Sequence, residues 1–146
     1  MTEPVPKDDS TRRRLSAQRR RDTGPELALR SRLHARGLRY RVDLRPLKES
    51  RCRADLVFSR SRVAVFVDGC FWHGCPEHGT IPQNNRAWWE SKLSANVARD
   101  RRFDSQLVAA GWTPLRIWEH QDMDEAAAFV EAFVRAGVTS APDRAL

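Results

Sequence analysis

The sequence predicts a three-layer α/β/α domain in which a mixed central sheet lies between helices. Four short segments are apolar or alternate between apolar and polar residues, as strands do, and three longer segments have a helical period. They occur in the order helix, three strands, long helix, strand, helix, which is typical of a sheet covered by helices. With 146 residues, the chain is long enough to bury one core without disulfides.

The first predicted elements are a helix and a half-buried strand. The segment DTGPE at residues 22–26 supplies a capping Asp or Thr, a Pro in the first turn and an acid near the positive end of the helix dipole. Leu29 and Leu33 give this helix an apolar face, and Gly37 can end it. The next segment then alternates as a strand does, with apolar side chains at Tyr40, Val42 and Leu44.

The remaining predicted elements are a hairpin, a long helix, a strand and a last helix. Two apolar runs at residues 54–58 and 63–67 are joined by four polar residues, as in an antiparallel hairpin. Residues 85–110 form the longest helix, which Gly111 stops, and residues 112–118 form the last strand. A final amphipathic helix begins near Asp122, with apolar residues at Ala126, Phe129, Val130, Phe133 and Val134.

The composition favours a nucleic-acid partner. Lys and Arg outnumber Asp and Glu by 26 to 19, and most of the excess is Arg, whose planar fork suits phosphates. Residues 1–21 are rich in Arg and poor in apolar residues, which predicts a basic flexible arm before a single domain at residues 22–146. Because the chain lacks a membrane-spanning apolar run and the apolar core of a signal peptide, we expect a cytoplasmic, nucleoid-associated protein without a membrane partner. Its cysteines are then expected to be thiols or metal ligands.

Acidic residues on neighbouring elements form a first candidate site. Asp55 lies on one hairpin strand, Asp68 ends the other, and Glu26 lies on the first helix. Such carboxylates can bind Mg²⁺, and His73 nearby can move protons near neutral pH. Each acid alone also suits a turn or a helix end. However, Asp55 interrupts a strand that otherwise reads as buried, where an unpaired carboxylate is costly.

A second candidate site is a zinc site built from cysteine and histidine. Cys70, Cys75 and His78 follow one another closely, and His120 comes after the last strand. Two thiolates and two imidazoles meet the tetrahedral preference of Zn²⁺. Two buried thiols beside exposed histidines are the alternative, and Cys52 could replace one of the ligands.

A third candidate site is aromatic and basic. Phe71 and Trp72 lie in the predicted loop after the hairpin, and Trp89 lies at the start of the long helix. Exposed aromatic rings in a basic chain can wedge between base pairs. Core packing competes with this interpretation for Trp89. Arg99 and Arg102 on the same helix are candidate phosphate contacts, although a solvated helix face explains them nearly as well.

Several of these motifs together resemble the very-short-patch (Vsr) mismatch repair endonuclease family. They are VFVDGCFWH at residues 65–73, WESK at 89–92, NVARDRR at 96–102 and IWEH at 117–120, and the resemblance extends back to RDTGPE at 21–26. It implies a restriction-endonuclease-like fold. It also implies an enzyme that nicks duplex DNA on the 5′ side of the thymine in a T:G mismatch.

The resemblance also implies roles for individual residues. Asp55 and the backbone carbonyl of Val67 would bind catalytic Mg²⁺, His73 would be the general acid and base, and Glu26 would be a supporting acid. Asp68 stands where some members have His, so its role stays open between metal ligand, water orientation and support of His73. The wedge would be Phe71, Trp72 and Trp89, and the structural Zn²⁺ would be bound by Cys70, Cys75, His78 and His120.

From the residues alone, the prediction is a metal-dependent nuclease acting on duplex DNA, whereas mismatch specificity comes from the resemblance. Two alternatives remain, a zinc-stabilised DNA-binding module without catalysis and a restriction or general-repair nuclease of the same fold. The expected form is a monomer acting on double-stranded DNA with a T:G mismatch. A mismatch-repair protein such as MutL is a candidate partner, and the sequence leaves its involvement open.

Overall fold

The computed structural model describes residues 23–70, 75–77 and 81–139, so the predicted arm at residues 1–21 lies outside the described residues. All seven predicted helices and strands are present in the predicted order. They are α1 (Gly24–Ala35), β1 (Arg41–Leu44), β2 (Ala54–Phe58), β3 (Val63–Asp68), α2 (Arg86–Ala109), β4 (Thr113–Trp118) and α3 (Met123–Thr139).

The four strands form one mixed sheet in the order β1-β2-β3-β4. The first three strands run antiparallel, with Leu56 opposite Val65. β4 runs parallel to β3, with Leu115 opposite Val65. The parallel direction is possible because α2 carries the chain back to the end of the sheet at which β3 begins. β2 therefore begins where β3 and β4 end. We call this side of the sheet, formed by the strand ends around Asp55, Asp68 and Trp118, the carboxylate edge.

Helices cover both faces of the sheet, which confirms the predicted three-layer α/β fold. On one face, α1 and α3 contribute to a core that includes Leu29, Leu33, Leu56, Val65, Ile117 and Val130. On the other face, Leu107 of α2 packs with Phe66, Val57, Ala64, Ala54 and Cys52. Alternate residues of β3 enter opposite cores, as the two-residue period of a strand requires.

Side-chain caps fix where α1 and α3 begin. The Thr23 hydroxyl accepts the backbone N–H of Glu26 at 3.4 Å, so Thr23 is the cap of α1. The Asp122 carboxylate accepts the backbone N–H groups of Asp124 and Glu125 at 2.8 and 3.1 Å. The first cap places Glu26 in the first turn of α1, where its side chain is buried.

The apolar face of α3 differs from the predicted one at two aromatic positions. Ala126, Val130 and Val134 lie at four-residue steps and are buried, whereas Phe129 and Phe133 are 46% and 39% exposed. Each ring precedes a buried residue by one position, which turns it about 100° away from the core. The two rings pack edge to face, with their centroids 5.0 Å apart.

None of the described helices is apolar over a length that would cross a membrane.

Candidate active site and metal centre

The sheet topology brings three predicted acids to the carboxylate edge. Asp55 is the second residue of β2, Asp68 ends β3, and Glu26 lies in the first turn of α1. Glu26 and Asp68 are only 3% and 5% exposed. Both lie close enough to Asp55 for their charges to act on its ionisation. The structure therefore gathers at one place the two acids of the hairpin and the acid of the first helix, as predicted.

The surroundings of Asp55 disfavour the negatively charged form of its side chain. Its Oδ2 accepts the backbone N–H of Val67 at 2.7 Å. Burial is the largest cause that raises the pKa of Asp55 to about 7. The Val67 hydrogen bond and Arg30 lower this pKa, whereas the negative charges of Glu26 and Asp68 raise it. A carboxyl group with this pKa is poised to take up a proton or a cation near neutral pH.

The two neighbouring acids have arginine partners. Glu26 pairs with Arg30 one turn along α1 at 3.1 Å, and both Asp68 oxygens lie 3.2 and 3.3 Å from Nη1 of Arg116. No cationic side chain pairs with Asp55 within the described part of the chain. Among the described residues, Asp55 is therefore the one of the three acids whose charge is available to an external cation.

The backbone of Val67 adds an oxygen on the side of Asp55. In an extended strand, the N–H and C=O of one residue point to the same neighbouring strand. Since the Val67 N–H reaches Asp55, the Val67 carbonyl also faces β2. A carboxylate and a carbonyl are hard oxygen donors of the kind that Mg²⁺ prefers, so the residues at this edge fit the predicted ion.

Arg116, which was not among the predicted site residues, joins this site to α2. Its Nε and Nη2 bind Asp104 at 2.8 to 3.2 Å, and its Nη1 lies 3.7 Å from the Asp100 carboxylate. Burial lowers the pKa of Arg116, but the hydrogen bond to Asp104 and the nearby acids raise it above its ordinary value. The available signal was a charged residue between Leu115 and Ile117 in an apolar strand.

A cluster of soft ligands lies just beyond the carboxylate edge. Cys70, Cys75 and His120 offer ligand atoms within 4.8 Å of one another. The Cys70 and Cys75 sulfurs lie 3.1 and 3.8 Å from His120 Nδ1. Tetrahedral Zn²⁺, with bonds of about 2.0 to 2.3 Å, separates its ligands by about 3.5 to 3.8 Å. This donor set therefore fits a zinc ion.

Residues around the cluster orient its ligands. Glu77 lies 3.4 Å from Nε2 of His120, the ring nitrogen that faces away from the sulfurs. Metal-binding histidines commonly pair their second nitrogen with a carboxylate in this way. The Cys70 N–H donates to Glu119 at 3.0 Å. Burial and the neighbouring Cys75 raise the pKa of the Cys70 thiol to about 11, so a metal must displace its proton.

Of the two further residues predicted as possible zinc ligands, one lies away from this cluster and the other lies outside the described residues. Cys52 is buried in the core beneath α2 with Ala54 and Leu107, and it does not belong to the cluster of described ligands. His78, the predicted fourth ligand, lies outside the described residues. The structure thus brings together three of the four residues predicted from the sequence.

Of the predicted DNA contacts, the structure describes those on α2. Trp89 is half-buried and packs edge to face against Trp88, with ring centroids 4.8 Å apart. Arg99 and Arg102 are exposed, and neither pairs with a carboxylate among the described residues. The predicted Phe71, Trp72 and His73 lie outside the described residues.

The raised pKa of Asp55 predicts how the stability of Mg²⁺-free protein depends on pH. An acid whose pKa is higher in the folded state keeps its proton longer when folded, so stability falls as pH rises from about 4 to about 7. The fall is at most about 4 kcal/mol for a shift of this size. Asp55→Asn should lack this component and melt at a higher temperature than wild type at pH 8. Identical pH dependence of the two melting temperatures would contradict the assigned pKa.

Comparisons with known proteins agree with these features. Residues 7–77 match the family described as DNA mismatch endonuclease Vsr. The type II nicking enzyme V.NaeI of Lentzea aerocolonigenes is 47% identical over 131 residues, which are 88% of this chain and 79% of that protein. V.XorIIP of Xanthomonas oryzae pv. oryzae, also a type II nicking enzyme, is 39% identical over 117 residues, 73% of this chain and 83% of that one. The DNA mismatch endonuclease Vsr of Escherichia coli K12 is 37% identical over 117 residues, 77% of this chain and 71% of that one. The chain therefore belongs to the Vsr family of DNA mismatch endonucleases.

Proposed function

We propose that this protein is a Mg²⁺-dependent endonuclease that nicks duplex DNA on the 5′ side of the thymine in a T:G mismatch. Family membership supports the DNA endonuclease activity, and the nicking enzymes among the relatives support cleavage of one strand. The observation that carries the proposal is the position of Asp55, a partly buried carboxylate that lies with Glu26 and Asp68 at the carboxylate edge and has no cationic partner among the described residues.

In this proposal, Asp55 and the Val67 carbonyl hold Mg²⁺, which when bound neutralises phosphate charge and lowers the pKa of a water molecule. The chain itself orients these groups. The Val67 N–H fixes one oxygen of Asp55, Arg30 holds Glu26, and Arg116 holds Asp68. Glu26 acts as the supporting acid of the site. His73, five residues beyond Asp68, acts as the general acid and base, a role that contributes typically 10² to 10⁴-fold.

The zinc cluster has a structural role in this proposal. Cys70, Cys75 and His120 bind the ion, with His78 as the fourth ligand. Cys70 follows the last residue of β3 by two positions, and His120 follows β4. A shared ion would therefore join Cys70 and Cys75, which flank Phe71, Trp72 and His73 in the sequence, to His120 after β4.

Recognition of the mismatch is assigned to the aromatic residues and affinity to the arginines. Phe71, Trp72 and Trp89 would open the stack beside a T:G pair, which costs less to open than a matched pair. Trp72→Ala should therefore reduce the preference for T:G over matched duplex. Arg99→Ala or Arg102→Ala should weaken binding to both duplexes alike and lower the salt slope by about 1. Binding isotherms across a salt series test both statements. Equal weakening of both duplexes by Trp72→Ala would place the wedge elsewhere.

A closed circular plasmid carrying one T:G pair distinguishes nicking from the two alternatives. With Mg²⁺, the proposed enzyme, acting as a monomer, converts this plasmid to open circles and leaves the matched plasmid closed. Linear product from both plasmids would indicate a restriction or general-repair nuclease. Binding without any cleavage would indicate a zinc-stabilised DNA-binding module. Randomised base pairs around the mismatch avoid a false negative caused by flanking sequence.

A further inference from the structure

Arg116 lies at a junction of β3, β4 and α2 that the family motifs do not include. It is paired with Phe66 in the sheet register, and its guanidinium carbon lies 4.0 Å from the centre of the Phe66 ring. This stacking holds the guanidinium plane against the sheet on the side covered by α2. The side chain is 21% exposed.

All three nitrogens of this guanidinium are engaged by acidic residues. Nη1 binds both oxygens of Asp68 at 3.2 and 3.3 Å. Nε and Nη2 bind the Asp104 carboxylate at 2.8 to 3.2 Å, and Nη2 also donates to the Asp100 carbonyl at 3.4 Å. One arginine thereby ties the end of β3 to two successive turns of α2.

The arrangement requires the shape of arginine as well as its charge. A lysine ammonium is a point charge that cannot present parallel donors to two carboxylates. The Asp68 side chain is only 7% exposed, so a misplaced cation weakens the pairing of a buried carboxylate. Water can solvate the Asp104 side chain, which is 33% exposed, more readily.

The tied segments are those that the proposed function uses. Asp68 directly follows Val67, whose N–H binds Asp55. Asp100 lies on α2 between the exposed Arg99 and Arg102. The distance between the cleavage centre and the helix assigned to DNA contacts is thus set in part by Arg116.

We propose that Arg116 is a positioning residue, which holds the Asp68 end of β3 and the Asp100 turn of α2 in the relative placement that cleavage requires. This inference rests on the proposed function. It assigns to Asp68 the role of an anchored carboxylate next to the site, one that keeps the Val67 backbone in place for Asp55. Misplacement of reacting groups by about 1 Å can lower a rate by about 10²-fold.

The experiment compares Arg116→Lys and Arg116→Met with wild type in single-turnover nicking, DNA binding and thermal melting. The substrate is the T:G duplex with Mg²⁺. We expect the nicking rate to fall at least about tenfold in Arg116→Lys and about 10²-fold in Arg116→Met, while the dissociation constant changes less than about threefold. Arg36→Met is the matched control, because Arg36 joins α1 to Glu131 of α3 at 2.8 Å away from the carboxylate edge. It should lower the melting temperature and leave the nicking rate unchanged.

Arg116→Lys decides the result if Arg116→Met does not fold. A folded Arg116→Lys variant with the wild-type rate would overturn the inference, and so would a rate loss matched by Arg36→Met at equal loss of stability. Failure of both Arg116 variants to fold would assign the residue to stability alone and reject the positioning role. Wild-type protein that nicks no duplex would instead reject the proposed function.

Discussion

Replacing Asp55 with Asn is expected to reduce Mg²⁺-supported nicking by about 10³-fold or more, because the amide cannot balance the charge of the ion. The substitution keeps an oxygen that can accept the Val67 N–H, so the strand ends should stay in place. DNA affinity measured without Mg²⁺ should be unchanged or higher, since an acid near the phosphates is removed. Single-turnover nicking and binding isotherms measure the two effects separately.

A matched control for this variant is Asp124→Asn. Asp124 is an exposed acid of α3 that pairs with Arg32 at 2.8 Å and is not one of the acids that act on Asp55. It removes the same charge from the protein and should leave the nicking rate unchanged. Full activity in Asp55→Asn would move the catalytic centre elsewhere on the chain.

Replacing Cys75 with Ser is expected to remove most of the bound zinc and to destabilise the fold. Structural zinc sites stabilise the fold directly, and loss of about 3 kcal/mol would lower the melting temperature by about 10 °C in a domain of this size. Elemental analysis of the purified protein gives the metal content, expected to be one Zn²⁺ per chain in wild type. A melting curve gives the stability.

The chain offers an internal control in its remaining cysteine. Cys52 is as buried as Cys75 but packs in the core beneath α2, so Cys52→Ser should alter packing without changing zinc content. A wild-type protein that is free of zinc and fully stable would show that Cys70 and Cys75 are buried thiols and not zinc ligands. Equal zinc loss in both variants would contradict the ligand set.

The elements of this fold could be predicted because each has a strong local signal. The apolar runs of β2 and β3 flank a short polar turn, and their antiparallel pairing brings Asp55 and Asp68 to one edge. The convergence of these acids therefore follows from the hairpin alone. The capping motif at Thr23 also indicates that Glu26 lies in the first turn of α1, and the packing of α1 against the sheet then brings it to these acids.

The arginine partner of Asp68 could not be predicted, because it depends on packing between distant elements. Asp68 and Arg116 are 48 residues apart, and only the parallel pairing of β3 with β4 brings them together. The same limit applies to Cys52. Its burial is compatible with a free thiol or a ligand, and its distance from Cys70 becomes known only when the sheet is assembled.

The most direct test of the proposed function is the strand-resolved nicking rate on end-labelled duplexes that differ in one base pair. We predict that wild-type protein with Mg²⁺ cuts the thymine strand of the T:G duplex on the 5′ side of the thymine. We also predict that the C:G and T:A duplexes of the same sequence stay intact over the same time. Equal rates on all three duplexes, or cleavage of the guanine strand, would contradict mismatch-directed nicking.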